Sequence, residues 1–434
     1  MPPHIPIGCG EKFWWQRRRN QVWKKNTEFE ALTPEEMRTI LEDDRLHAPN
    51  EVEDTFNALL KWIHADVAAR KRYLAQFLPL LRLAWCSVPD FEKVITNPAI
   101  NGDGDCLKVL DVIYQSTTRK FMAVGEVAGT DLSHKMWMRP RIPKDIIFVF
   151  GGWADGAISN MLTYNCRTEK WRDMGNQCTP CRSYHGMAVI GQRIYVLGGF
   201  NGCECHRTVV CFDVALGRWS YKAHMGRARC YVSVAVLKGY IYAMGGFDGR
   251  SRTRTVERYS VKNDQWTNVA NMKYMRSDAS AAAACGRIYI AGGFTGRRFL
   301  ETVECYDPST KVWTLVKSMP WLSSGHKLVA HDDIIYIMGG SNNNGRISFV
   351  TQYDVRRDRY SDLPSMPYAK SNFAAVVLEG CIYTIGGFDG MNTVQQVERY
   401  DIAAQKWYTA PQINTKCSAS AACVVRDIAN PGTL

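Results

Sequence analysis

Residues that could recognise a charged partner recur in this chain at intervals of 47 residues. The first ladder of basic and hydroxyl side chains consists of Arg182, Arg229, Arg276, Ser323 and Lys370. Two positions further on, a second ladder consists of Tyr184, Tyr231, Asp278 and Asn372. Arginine pairs with carboxylates through two parallel hydrogen bonds and tyrosine supplies rigid contact area, so these ladders predict binding of an acidic protein segment. The alternative is that the repeated arginines brace loops by bonding to neighbouring carbonyl groups.

Soft metal ligands form the other chemically distinctive cluster. They are Cys178, Cys181, Cys203, Cys205 and His206. Four such ligands would suffice for a tetrahedral zinc site. Their spacing is not that of a zinc finger, so free or redox-sensitive thiols are the favoured interpretation. The chain has no nucleophile elbow, phosphate loop or paired-histidine motif, so we expect a protein that is not an enzyme and needs no cofactor.

Glycine pairs and aromatic residues show which elements must position these side chains. The six pairs also recur every 47 residues, at Gly151-Gly152, Gly198-Gly199, Gly245-Gly246, Gly292-Gly293, Gly339-Gly340 and Gly386-Gly387. The spaced aromatic residues include Trp171, Trp219, Trp266, Trp313 and Trp407, with Tyr360 at the equivalent position of the fifth unit. A short Ile-, Val- and Tyr-rich run ends at each glycine pair, which predicts a strand and a tight turn. Four such strands in each of six units predict a six-bladed β-propeller.

The two ends of this array predict how the ring closes. The first unit begins at IIFVFGG and lacks the strand that precedes this run in the other units. The last unit ends at Trp407, yet the chain continues with KCSASAACVV, which matches the missing strand. We therefore expect residues 417–425 to return to the first blade and leave no open edge.

The double glycine, the spaced Tyr and Trp and the repeat length resemble the kelch repeat family over residues 141–425. Tyr360 and Ser341 depart from the pattern, because other units carry Trp and an aromatic residue there. The resemblance implies an all-β six-bladed kelch propeller whose loops before each first strand and after each glycine pair form a shallow binding pocket. Some kelch-fold oxidases bind copper through Tyr and His, so a copper oxidase is a remote alternative.

Helical signals precede the propeller. Thr33-Pro34-Glu35-Glu36 predicts a capping box with proline at the first helical position. Asn50 is positioned to cap a second helix, a third is predicted through Leu74 and Leu81, and a fourth over residues 105–118. Short connections between them predict an antiparallel bundle. These helices resemble the BACK domain of kelch-like proteins, an all-α unit that precedes the propeller.

The predicted domain bounds follow from these signals. They are a divergent arm at 1–27, a BACK-like helical domain at 28–135, a linker at 136–145, the propeller at 146–425 and a tail at 426–434. The resemblance implies a substrate-recognition adaptor of a cullin-3 ubiquitin ligase. Too few residues precede the helices for the BTB domain that this family implies, so we expect cullin-3 binding to be weakened or lost. The alternatives are a non-ligase kelch scaffold, a cytoskeletal binding protein or a competitor without the docking domain.

Composition limits the partners and the compartment. The 434 residues carry a formal net charge of +12, which favours an acidic protein partner. We expect no nucleic-acid partner, because no nucleic-acid fold signature appears. No apolar stretch approaches the length of a membrane span, and the N-terminus lacks a signal-peptide core. Together with 15 cysteines, these features predict a cytoplasmic protein with free thiols and no membrane partner.

Overall fold

The computed structural model describes residues 27–44, 46, 48, 50–86, 88–122, 135–138, 141, 145–167, 169–177, 179–426 and 428. The chain divides into two compact units, Met1–Lys144 and Asp145–Leu434. Nearly all of the predicted arm and most of the predicted tail lie outside the described residues. The domain bounds given above stay predictions.

The first unit is helical. Its α-helices are α1 (Pro34–Glu42), α2 (Asn57–His64), α3 (Val67–Arg70), α4 (Leu74–Phe77), α5 (Val88–Ile95) and α6 (Gly104–Met122). A π-helical turn (Glu51–Phe56) leads into α2, and 3₁₀ turns lie at Thr27–Ala31, Lys71–Tyr73, Leu78–Leu80, Leu83–Trp85 and Met136–Met138. No helix among the described residues is both long and apolar enough to cross a membrane.

Polar side chains begin these helices where the sequence predicts. The Thr33 side chain accepts from the amide of Glu36 and the Glu36 carboxylate accepts from the amide of Thr33, which confirms the capping box of α1. The Asn50 side chain accepts from the amides of residues 52 and 53, so this predicted cap is also confirmed. The predicted third helix is α-helical only as far as Phe77, because Pro79 supplies no amide donor to continue the pattern.

A buried ion pair lies within the helical unit. The Arg141 Nε lies 2.5 Å from the Glu51 Oε1, and both side chains are almost fully buried. The same guanidinium donates to the carbonyls of Leu41 and Asp43, at 3.3 and 2.8 Å. Buried charges persist when they are paired and hydrogen-bonded, and both conditions hold for Arg141. Residue 141 is therefore anchored to the helical core, although it falls within the predicted linker.

The second unit is a β-propeller of six blades, each a four-stranded antiparallel sheet in the described residues. Blade 1 contains β1 (Ile146–Trp153), β2 (Ala157–Asn165), β3 (Lys170–Asn176) and β26 (Ala421–Val425). Blade 2 contains β4 (Gly186–Ile190), β5 (Arg193–Leu197), β6 (Val209–Asp213) and β7 (Arg218–Lys222). Blade 3 contains β8 (Ser233–Leu237), β9 (Tyr240–Met244), β10 (Val256–Ser260) and β11 (Gln265–Val269).

The remaining blades repeat the same order. Blade 4 contains β12 (Ser280–Ala284), β13 (Arg287–Ala291), β14 (Val303–Asp307) and β15 (Val312–Val316). Blade 5 contains β16 (Lys327–His331), β17 (Ile334–Met338), β20 (Val350–Asp354) and β21 (Arg359–Leu363), with a small hairpin of β18 (Ser341–Asn342) and β19 (Gly345–Arg346). Blade 6 contains β22 (Ala374–Leu378), β23 (Cys381–Ile385), β24 (Val397–Asp401) and β25 (Lys406–Ala410).

The last strand closes the ring, as the sequence predicts. β26 pairs antiparallel with β1 along its whole length, from Ile146 opposite Val425 to Phe150 opposite Ala421. The strands β4, β8, β12, β16, β22 and β26 contact one another in sequence and return to the start, so they form the innermost wall. The predicted six-bladed propeller is confirmed.

The repeated aromatic residues connect neighbouring blades. The Trp266 Nε1 donates to the carbonyl of Ala223 in blade 2, at 2.9 Å. The indoles of Trp313 and Trp407 donate to carbonyls of the preceding blade in the same way. In blade 5 the hydroxyl of Tyr360 donates to the Lys317 carbonyl at 2.9 Å and so supplies the bond that tryptophan makes elsewhere. The Trp171 indole makes this contact across the closure, to Pro411.

Each glycine pair allows the next blade to approach its backbone. At Gly198, with φ of 63°, an added Cβ would lie 2.2 Å from the carbonyl oxygen of Arg229 in blade 3. The amide of Gly199 donates to that carbonyl at 2.8 Å. A side chain at this position would force the blades apart, which explains why glycine recurs here.

Candidate partner-binding site on the propeller

The arginines of the first ladder are buried inside the blades. The side chains of Arg182, Arg229 and Arg276 are fully buried, and Lys370 and Ser323 are buried with them. The Nη1 of Arg276 donates to the carbonyls of Gly292 and Thr302 at 2.7 and 3.0 Å. Equivalent bonds run from the other two arginines to carbonyls of their own blades. This arrangement favours the bracing alternative for the ladder.

Carboxylates neutralise three of these four buried cations. The Arg229–Glu257, Arg276–Glu304 and Lys370–Glu398 pairs have N···O distances of 2.8, 2.7 and 2.5 Å. Arg182 has no such partner among the described residues, because Val210 stands where the others have glutamate. Burial lowers the pKa of Arg182 to about 10. The Ser323 hydroxyl of blade 5 donates to the Gly339 carbonyl at 3.1 Å. Because the side chains of the first ladder are buried, they offer no surface to a partner in this structure.

The second ladder forms a ring of backbone hydrogen bonds around the propeller axis. The residues of this axial ring are Tyr184, Tyr231, Asp278, Gly325, Asn372 and Ala419. Each amide donates to the carbonyl of the preceding member, and Tyr184 donates to Ala419, with distances of 2.7 to 3.0 Å. All six have positive φ, from 52 to 66°. This conformation is unusual for tyrosine and is held here by contacts on both sides.

Four side chains of the axial ring are half-buried near the opening of the channel. The rings of Tyr184 and Tyr231 lie 4.1 Å apart between centroids. The Asn372 Nδ2 donates to the Asp278 Oδ1 at 2.9 Å. Burial raises the pKa of Asp278, and Asn372 and the nearby cations oppose that shift. The structure thus brings together all four predicted residues of the second ladder and separates them from the buried first ladder.

Lys327 adds a cation to this polar cluster. It begins β16 on the innermost wall, where the carboxylate of Asp278 acts on its charge. Burial lowers the pKa of Lys327, while the attraction of Asp278 raises it. The attraction of Asp278 therefore offsets part of the effect of burial on Lys327.

Two arginines beside the axial ring were missed by the sequence analysis. The Arg252 Nε donates to the Ser277 Oγ at 2.9 Å, and the Arg346 Nε donates to the Ser371 Oγ at 3.2 Å. Their guanidinium carbons lie 4.9 Å from the Phe294 ring centroid and 4.7 Å from that of Phe388. Neither of these two rim arginines forms an ion pair with another described residue. Preoriented, half-buried guanidinium groups of this kind can bind carboxylates.

A sequence signal for the rim arginines exists but is weak. They stand 94 residues apart, which is two repeats. Blades 2, 4 and 6 carry Cys205, Phe299 and Thr393 at the same position. Four residue types in these five blades form no ladder, so the repeat pattern does not single out the two arginines.

The predicted soft-ligand cluster is only partly brought together. Cys178 lies outside the described residues, and Cys181 and Cys203 are exposed thiols. The Cys205 sulfur lies 2.9 Å from the sulfur of Cys230 in the next blade, a residue outside the predicted cluster. Among the described residues, no group of three or more His, Cys, Asp or Glu side chains is arranged to hold a metal ion.

Comparison with protein families identifies the class of propeller. Residues 275–320, 323–367 and 369–414 each match the family described as "Kelch motif". Residues 104–285 match the "KLHDC2/KLHL20/DRC7 Kelch-repeats domain", and residues 15–96 match "BTB And C-terminal Kelch", the BACK family. The chain therefore carries a BACK domain and Kelch repeats.

Individual relatives agree with this class. The chain is 27% identical to kelch-like protein 38 of Mus musculus over 213 residues, 47% of this chain and 35% of that protein. It is 29% identical to kelch-like protein 28 of Homo sapiens over 215 residues, 46% of this chain and 36% of that protein. Over 97 residues it is 38% identical to kelch repeat-containing protein kel-10 of Caenorhabditis elegans, 21% of this chain and 17% of that protein.

The matched segments thus span about a third or less of the length of these curated relatives. Among solved structures, the one titled "Structure of YjhT" covers 56% of this chain and 87% of its own, with a TM-score of 0.50 and 15% identity. At that identity the likeness supports the propeller fold alone.

Proposed function

We propose that this chain is the substrate-recognition adaptor of a cullin-3 ubiquitin ligase and does no chemistry itself. The match of residues 15–96 to the BACK family and the similarity to kelch-like proteins support a ligase-docking role. The propeller binds the target while the docking region binds the ligase, so the target's lysine is held near the ubiquitin-transfer machinery at high effective concentration.

The proposal that the propeller binds the target is supported by the polar side chains at the opening of the channel, here called the mouth. Tyr184, Tyr231, Asp278 and Asn372 are half-buried there, and Arg252 and Arg346 flank them without a carboxylate partner among the described residues. Two guanidinium groups stacked on aromatic rings favour a target segment with carboxylates. We propose that an acidic segment of the target lies across this mouth.

Finer features of the proposal rest on resemblance. The stretches RCYVSVAVLKGYIYAMGGFDG and MRSDASA resemble kelch-like protein 10. On that basis we propose a cytoplasmic adaptor acting in spermatid development.

Ligase docking is tested by measuring binding of the purified 434-residue chain to the N-terminal region of cullin-3. A version fused to a complete BTB domain is the positive control. Binding by both supports an adaptor role for this chain as it stands. Binding by the fusion alone favours the competitor or scaffold alternative, and binding by neither contradicts the ligase proposal.

Target binding is tested by selecting peptides from a displayed library on the purified chain. We expect enrichment of peptides rich in Asp and Glu, because the rim arginines lack carboxylate partners among the described residues. Arg252→Glu with Arg346→Glu should lower the affinity of selected peptides at least 10-fold, about 1.4 kcal/mol. The matched control, Arg218→Glu with Arg359→Glu, makes the same charge change at exposed positions of outer strands. Equal loss in both variants would contradict a specific site.

A further inference from the structure

We propose that Cys205 and Cys230 form a redox site, in which a peroxide oxidises the two thiols to a disulfide that joins blades 2 and 3. The sulfur atoms lie 2.9 Å apart, and a disulfide bond of about 2.05 Å needs them to approach by less than an ångström. This proposal is independent of the ligase role.

The backbone holds both residues in place from opposite sides of a blade boundary. Cys205 pairs with Phe200 at the edge of blade 2, and Cys230 pairs with Phe247 at the edge of blade 3. The Cys230 amide and carbonyl both bond to Phe247, at 2.8 Å. Because each backbone is fixed within its own blade, the sulfur contact does not depend on a flexible loop.

The repeat explains why these two side chains meet. Residues 25 positions apart face each other at two other blade boundaries, where Arg252 contacts Ser277 and Arg346 contacts Ser371. At the boundary between blades 2 and 3 the same two positions carry thiols. The plain alternative is that the cysteines fill space as small apolar residues. A single half-buried cysteine would fit that alternative, but two sulfurs in contact also have the geometry of a dithiol.

The two thiols differ in accessibility and in acidity. Cys205 is half-buried and Cys230 is buried. The hydrogen bond between the two thiols lowers the pKa of Cys205, and the same bond, with burial, raises the pKa of Cys230. Thiolate is the attacking form, so Cys205 is the nucleophile and Cys230 the thiol that completes the bond.

The chemistry balances with one equivalent of hydrogen peroxide. The Cys205 thiolate attacks one peroxide oxygen, the O–O bond breaks, and the hydroxide that leaves takes a proton to form water. The sulfenic acid on Cys205 is then attacked by the Cys230 sulfur, which forms the S–S bond and releases a second water. Two thiols are oxidised by two electrons, and the peroxide is reduced to two waters.

A disulfide here would form beside the axial ring. Cys230 immediately precedes Tyr231 of the axial ring, and Cys205 occupies the position held by the rim arginines in blades 3 and 5. The new bond would close a loop between residues 205 and 230 and limit the freedom of the unfolded chain. We expect the oxidised protein to have a Tm higher by roughly 5 °C.

The test uses the full chain treated with peroxide, then alkylated and mapped by mass spectrometry without reduction. We expect a linked pair of peptides containing Cys205 and Cys230, which disappears when dithiothreitol is added. The matched control Cys203→Ser removes an exposed thiol two residues away and should leave that link intact, whereas Cys205→Ser should abolish it.

Three results would overturn the proposal in the folded wild-type protein. The first is the absence of a Cys205–Cys230 link after all the peroxide has been consumed. The second is a disulfide from Cys205 to Cys181 or Cys203 instead. The third is oxidation of Cys205 that stops at the sulfenic or sulfinic acid. Circular dichroism before and after treatment establishes that the protein is folded. Because the decisive reading comes from wild-type protein, a variant that fails to fold does not affect it.

Discussion

Blade 2 and blade 4 position a buried arginine in the same way, but only blade 4 neutralises it. Arg276 of blade 4 pairs with Glu304 and also bonds to the Gly292 carbonyl. Arg182 of blade 2 makes the equivalent carbonyl bond to Gly198, at 2.8 Å, and has Val210 in place of the glutamate. Backbone carbonyls therefore suffice to position the arginine, and the carboxylate adds charge compensation.

A second difference between blades accompanies the presence or absence of this glutamate. Blades 2 and 5 lack a glutamate at this position, and both carry a buried histidine just before their first strand, His185 and His326. Blades 3, 4 and 6, which have the glutamate, carry Val232, Ala279 and Phe373 there. Blades 2 to 6 thus fall into two kinds, three that contain a buried ion pair and two that contain a buried histidine.

The largest expected effect is on the ion-paired blade. Arg276→Met should lower the free energy of unfolding by about 3–5 kcal/mol, because it leaves Glu304 buried without its counter-ion. Arg182→Met should cost only about 1–3 kcal/mol, because it removes hydrogen bonds but leaves no isolated charge. Urea denaturation at pH 7.5 measures both. Equal losses would show that the carboxylate makes no difference between the blades.

The double variant Arg276→Met with Glu304→Leu provides the control for that comparison. It removes both charges, so we expect it to recover roughly half or more of the loss caused by Arg276→Met alone. A double variant less stable than the single one would mean that Glu304 stabilises the blade through its bonds to the amides of Lys273 and Tyr274.

The next effect is a loss of stability in acid that originates in blades 2 and 5. Burial lowers the pKa of His185 and of His326 to about 3, whereas the unfolded chain has histidine pKa values near 6.5. As the pH falls from about 6.5 towards 3, the unfolded state binds protons that the folded state does not. Each histidine should therefore cost on the order of 1–2 kcal/mol of unfolding free energy at pH 5.

Replacement of both histidines tests this assignment. His185→Phe with His326→Phe introduces the residue that blade 6 carries at this position, Phe373. The variant should lose less stability than the wild type between pH 7.5 and pH 5, as measured by urea denaturation at each pH. An unchanged difference between the two pH values would place the acid sensitivity elsewhere.

The smallest expected effect concerns the contact between blades 4 and 5. Tyr360→Phe removes the hydroxyl that donates to the Lys317 carbonyl and should cost about 0.5–1.5 kcal/mol. Tyr360→Trp keeps a donor of the kind used by Trp313 and Trp407, so its Tm should lie closer to that of the wild type. If both variants match the wild type, the hydroxyl does not contribute to joining these blades.

Repetition explains how much of this fold could be predicted from the sequence. The glycine pairs and aromatic residues recur because every blade needs the same close approach and the same contact with its neighbour. The returning strand was predictable because the first unit lacked a strand and the sixth was followed by an extra one. These features depend on local pattern and period, which a single sequence displays.

The burial of the first ladder was harder to predict. A recurring arginine looks the same whether it faces solvent or a carbonyl in its own blade. The informative signal was a further ladder of glutamates, in which Glu257, Glu304 and Glu398 stand 28 residues after Arg229, Arg276 and Lys370. Thr351 stands 28 residues after Ser323, so the acid is missing where the base is missing. The contact between Cys205 and Cys230 gives no such signal, because it occurs at one blade boundary only.

Closure by the last strand also determines how long β1 waits for its partner during synthesis. β1 ends at Trp153, and its partner β26 begins at Ala421, so roughly 270 residues must be translated before the two can meet. At about 5–20 residues per second, this takes roughly 15 to 55 seconds. For that time one edge of the first sheet has no permanent partner, and an unpaired edge invites pairing with another nascent chain. Blade 1 is therefore the first to be started and the last to be completed.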